Sequence, residues 1–63
     1  MIRYALEILE KVAFNKELFR KELMKSLGWL SLDEIPTFRR NVIQRFSRLH
    51  PDVLEEVFGM VMA

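Results

Sequence analysis

The sequence predicts an all-α fold, a small bundle of four short helices joined by tight turns. Three observations carry this. Apolar residues recur at three- and four-residue spacings along nearly the whole chain. Start and stop residues interrupt that pattern at Asn15, Gly28, Ser31 with Glu34, and His50-Pro51. Polar–apolar alternation and Asn-Gly or Asp-Gly hairpin turns are absent, so nothing reads as a strand. There is no internal repeat.

Residues 1–14 read as the first helix. Ile2, Ala5, Leu6, Leu9, Val12 and Ala13 make a broad apolar face, with Arg3, Glu7, Glu10 and Lys11 opposite. Glu7 and Lys11 form an i,i+4 pair in the favoured order. Tyr4 and Ile8 extend the apolar face sideways.

Asn15 is placed as an N-cap, because its side-chain oxygen can accept from the amides of the next turn. Phe14 and Phe19 are spaced as a hydrophobic staple around it. The second helix is expected over residues 16–27, with Phe19, Leu23 and Leu27 as its main stripe and Met24 beside them. Leu18 points away from that stripe, towards a second neighbour. Gly28 is expected as a left-handed stop, with Trp29 folding back on Met24 in a Schellman ending.

The third segment, residues 31–50, carries the cleanest stripe: Ile35, Phe38, Val42, Phe46 and Leu49, flanked by Ile43. Its opposite side holds Arg40, Gln44 and Arg48 at i, i+4 and i+8. Arg39 and Arg45 lie at the borders, where long stems can cover apolar surface. Ser31 and Glu34 have capping-box spacing, the hydroxyl accepting from the Glu34 amide and the carboxylate reaching back. Leu30 and Ile35 are placed as its staple. Pro36 lacks an N–H and crowds the preceding turn. Either a first turn over 31–35 is set off by a kink or the helix starts at Pro36; the expectation is a short turn running into a helix kinked at Pro36.

His50 precedes proline and is pushed out of helical conformation, which ends the third helix. Pro51 suits the first position of a fourth, with His50 as cap, Asp52 in the favoured first turn, and Leu49 and Leu54 as staple. This last helix, to about residue 62, is apolar on most of its circumference. Val53, Leu54, Val57, Phe58, Met60, Val61 and Met62 outnumber Asp52, Glu55 and Glu56, so it must be buried on more than one side.

Sixty-three residues make one small domain, in which a single core rarely contributes more than ~3–5 kcal/mol. Cysteine is absent, so there is no disulfide or thiolate metal site, and a reducing, cytoplasmic setting is expected. No secretory signal is read at the N-terminus, and no stretch approaches the ~18 apolar residues of a membrane span. Net charge is +1, too small to imply an anionic partner. Its distribution is more informative. Residues 1–35 balance six basic against six acidic side chains, 36–50 hold four arginines and no acid, and 51–63 hold three acids and no base. The basic and acidic helices are expected to attract, within one chain or between two copies.

Residues 11–23 (KVAFNKELFRKEL), Leu27, Trp29-Leu30, Asp33-Glu34-Ile35, Phe38, Arg45-Phe46, Val53-Leu54 and Val57-Phe58 carry a resemblance over most of the chain. They resemble a family of short uncharacterised all-helical bacterial proteins. That pattern has an N-terminal ILEKVSF segment, a second helix with LF and KEL, a P-E-E helix start and a terminal apolar V-F helix. Pro36 departs from it, standing where the pattern has glutamate. The shared positions are packing and capping residues, so the resemblance implies the helical fold and no activity, cofactor or catalytic residue.

The expected function is non-enzymatic protein–protein association. An apolar fraction of 51% leaves more apolar surface than one small core hides, since about 60% burial is typical at this length. The surplus falls on Tyr4, Ile8, Leu18, Val53, Val57, Met60 and Val61, and self-association through the last helix, as a homodimer, is the leading form. A Met-rich groove for another protein's helix is the variant. The alternative is helix-turn-helix-like DNA binding by the second and third helices, with Arg39, Arg40, Gln44 and Arg48 meeting the DNA. Against it, Asp33 and Glu34 stand where a recognition helix usually reads bases. Catalytic, cofactor and metal-ligating residues are expected to be none: four short helices leave little room for a pocket of ~300 Å³ beside a core. Membrane and small-molecule partners are not expected.

Overall fold

The computed structural model describes residues 2–62, and the side chains of residues 2–59. The apolar stripes become four helices, α1 (Ile2–Val12), α2 (Lys16–Trp29), α3 (Ile35–Phe46) and α4 (Pro51–Met62), with no strand among the described residues. The all-α bundle is therefore the fold.

Asn15 caps α2, its side-chain oxygen accepting from Leu18 N at 3.1 Å. The staple across it does not form. Phe19 is fully buried while Phe14 stays 82% exposed on the turn. Gly28 is not a stop. Its φ is not positive, α2 continues through Trp29, and extended Leu30 ends the helix, its amide donating to Ser26 O at 3.0 Å. Leu30 is buried, and turning its side chain into the core takes the backbone out of the helix.

At the start of α3 the carboxylate half of the capping box forms. Ser31 N donates to Glu34 Oε1 at 3.0 Å. The hydroxyl half is reversed, since Ser31 Oγ donates to the same oxygen at 2.8 Å instead of accepting an amide. Pro36 falls in the first turn of α3, where its missing N–H leaves no bond unmade, so the helix begins beside the proline and needs no kink there. The α3 stripe stops at Phe46. Leu49 N and His50 N both bond to Phe46 O at 3.0 Å, which tightens the turn and leaves Leu49 exposed, outside the core and without a staple role. His50 does cap α4 through its carbonyl, which accepts from Leu54 N at 3.2 Å.

The core draws from every helix: Ala5 and Leu9 of α1, Phe19 and Leu23 of α2, Phe38 and Val42 of α3, Val53 and Val57 of α4. Phe19 is central. Its ring meets Phe46 edge-on at 5.0 Å and lies 4.9 Å from His50. The closely packed pairs are α1–α2, α2–α4, α4–α3 and α3–α1. The helices thus circle the core in the order α1, α2, α4, α3, and the chain crosses the bundle between α2 and α3.

Charge pairs orient the ring. Lys16 binds Asp52, and one turn further along both helices Arg20 binds Glu56, with Nη2–Oε2 at 2.6 Å. Paired this way, α2 and α4 run side by side in the same direction. Arg45 of α3 binds Glu10 of α1. The acidic last helix is therefore attracted mainly to α2, and the expected pairing with the arginines of α3 does not occur within the chain.

Candidate functional site

Two opposite faces of the ring carry side chains that the bundle does not fully use. The first is the outer face of α1 and α2. Tyr4 and Trp29 are 55% and 43% exposed, with their ring centroids 6.3 Å apart. Ile8, half-buried, lies one turn beyond Tyr4 on α1. Leu18, also exposed, lies about three turns before Trp29 on the same side of α2. The opposite flank of α2 is held against α4 by Lys16 and Arg20. Tyr4, Ile8, Leu18 and Trp29 thus share one outward strip. The first three are interface residues expected from the sequence. Trp29 was missed there because Gly28 was read as a stop that would turn it towards Met24.

The second face is the groove between α3 and α4, about 440 Å³, lined by Arg39, Ile43, Ser47, Pro51, Leu54, Glu55, Phe58 and Gly59. Its floor is apolar, and its two charged side chains are Arg39 and Glu55. Arg39 Nε is buried and has no hydrogen-bond partner among the described residues. Arg39, expected at the border of the α3 stripe and among the DNA contacts, lines this groove with its Nε shut off from solvent. Arg40, Gln44 and Arg48 are exposed, and Arg48 lies past the end of α3 in the turn.

Val53 and Val57 are each 2% exposed, so neither offers its side chain to a partner. Their surplus apolar surface is absorbed because α4 packs against both α2 and α3. The expected interface residues Met60 and Val61 lie outside the described side chains. The helix-turn-helix expectation concerns α2 and α3, which meet in the core through the Phe19–Phe46 ring contact at 5.0 Å, while the most closely packed neighbours of α2 are α1 and α4.

A smaller groove of about 370 Å³ lies between α1 and α3, beside the Glu10–Arg45 pair. His50 lines neither groove. Its Nε2 donates to the Ala13 carbonyl at 2.6 Å, and only 8% of the residue is exposed. Two carboxylates are held below their ordinary values. The Ser31 amide and hydroxyl lower Glu34 to about 2, and the hydrogen bond from Lys16 lowers Asp52. Both are surface carboxylates in structural bonds, at helix starts. Among the described residues no group of three His, Cys, Asp or Glu side chains gathers as a metal ion requires, and no described helix is long and apolar enough to cross a membrane.

Compared with protein families, curated proteins and solved structures, the chain matches none.

Proposed function

We propose that this chain is a small non-enzymatic protein that acts by protein–protein association. The observation that carries the reading is the strip Tyr4, Ile8, Leu18 and Trp29. Aromatic side chains of this kind are enriched where proteins bind one another, since they bring large apolar area at low entropy cost. The single histidine is engaged with a main-chain carbonyl and an aromatic ring, which supports the non-enzymatic part. A chain free of cysteine is compatible with the cytoplasmic setting this reading assumes.

The test compares the native chain with a Tyr4→Glu/Leu18→Glu variant, both immobilised. Both positions are exposed, so the variant should keep its helical signal and a cooperative melt. A protein retained by the native chain and lost by the variant supports the strip as the contact surface. Identical retention by both would remove it.

A second reading keeps nucleic-acid binding. It rests on Arg40, Gln44 and Arg48, which are exposed, the two arginines having no carboxylate partner among the described residues. The Arg40→Glu/Arg48→Glu variant should then lose duplex DNA binding with its fold intact. Equal binding by both proteins would end this reading.

A further inference from the structure

The charged side chains of the ring are unevenly used. Lys16 takes Asp52, Arg20 takes Glu56 and Glu10 takes Arg45, all across helix pairs. Of the acids on α4, Glu55 is left over. Of the arginines on α3, Arg39 has a buried Nε with no acceptor among the described residues. Both line the α3–α4 groove, yet they form no ion pair with each other within the chain. The buried Nε is closed to a partner, and a carboxylate brought to the groove from outside would meet the outer nitrogens of the same guanidinium.

We infer that a second copy of this chain docks on the α3–α4 groove, about a two-fold axis running along it, so that Arg39 of each copy meets Glu55 of the other. This rests on the association reading and names the partner. The symmetry follows from placement. The tight turn 47–50 sets α3 and α4 antiparallel, with Arg39 on one side of the groove and Glu55 on the other. A two-fold axis along the groove lays α3 of one copy over α4 of its partner and exchanges the two sides. Arg39, Phe58 and Gly59 line the same groove, and Glu55 lies about one turn back along α4.

The apolar floor of Ile43, Leu54 and Phe58 supplies the water-excluding part of the contact. Nothing lies within 4 Å of where a Cβ on Gly59 would stand, so the backbone of α4 is open to close approach there. An ordinary contact takes about 800 Å² from each partner. That is less than a quarter of this chain's 4453 Å² of accessible surface, and one side of a four-helix ring offers about as much.

The experiment measures the mass of the intact chain by light scattering from micromolar to millimolar concentration. It uses the native protein, Arg39→Glu, Glu55→Arg, and an equimolar mixture of the two variants. The native chain should dimerise. Each variant alone places like charges across the axis and should dimerise about ten-fold more weakly or worse. The mixture should restore dimers. In a heterodimer the two substituted positions face each other with opposite charges on one side, and the native Arg39–Glu55 pair is kept on the other. A native chain that is monomeric throughout overturns the proposal, as does a mixture of folded variants that fails to recover. If Arg39→Glu does not fold, Glu55→Arg at its exposed site carries the test alone, and an undiminished dimer overturns the proposal. Trp29, the single tryptophan, separates this failure from failure of the wider reading. Dimers that ignore the charge variants but shift Trp29 emission use the α1–α2 face, which overturns the groove and leaves association standing.

Discussion

His50 Nε2 donates to the main-chain carbonyl of Ala13 at 2.6 Å, across 37 positions of sequence. The bond ties the α1–α2 turn to the α3–α4 turn, and a carbonyl can only accept, so Nε2 carries the proton. The same ring rests on Phe19 at the centre of the core. His50→Ala removes the donor and the packing together and should cost about 2 kcal/mol or more. His50→Phe keeps a ring and removes only the donor, so it should cost less. Urea denaturation of both variants separates the two contributions, and equal midpoints for native and Ala proteins would show that the bond contributes nothing.

Gly28→Ala should stabilise the protein. Gly28 lies inside α2 without a positive φ, and nothing stands within 4 Å of an added Cβ. The substitution removes the entropic cost of helical glycine, so the expected gain is about 0.5–1 kcal/mol. A loss of more than that would mean the glycine adopts the left-handed stop conformation after all. The readout is the shift in melting temperature.

Val57→Asp should unfold the chain. Val57 is 2% exposed, and an unpaired carboxylate there has no partner to offset its desolvation. Far-ultraviolet circular dichroism should show lost helicity at every concentration. A folded variant with a smaller solution mass would instead place Val57 in an interface between chains.

Acid should weaken the fold through Glu34 and Asp52. Glu34 is lowered from its ordinary value of 4.5 to about 2 by the Ser31 amide and hydroxyl. Asp52 is lowered from 3.8 by its hydrogen bond from Lys16. A depressed carboxyl binds fewer protons folded than unfolded, so its contribution is complete above the unfolded value and is lost as pH falls through the folded one. The urea midpoint should therefore drop progressively from about pH 5 towards about pH 2, and Glu34→Gln should flatten part of that drop. Parallel curves for the two proteins would contradict the assignment to Glu34.

Four helices were legible because their stripes are long and periodic, and Ala5, Leu9, Phe19, Leu23, Phe38 and Val42 all reach the core as the spacing required. The ends were less legible, because tertiary burial decides them. Gly28 permits a stop without compelling one, and the pull of buried Leu30 set the end of α2 instead. Leu49 continued the α3 period, yet the tight turn before Pro51 swung it outward. On the candidate faces, Tyr4 and Leu18 were recognisable as apolar residues off the main stripe. Val53 and Val57 were misjudged because a count of apolar residues cannot say how many neighbours α4 has. The Arg39–Glu55 groove was hidden because only the ring order reveals which charges already have partners.

That ring order sets the α1–α2 face and the α3–α4 face on opposite sides of the bundle. Two chains joined at their α3–α4 grooves would present their Tyr4–Trp29 strips at the two far ends, pointing away from each other. Such a pair is bivalent. It could bridge two copies of a target, or grip a two-site target with an avidity about 10²–10⁴ times that of one strip alone, provided both sites lie within its span.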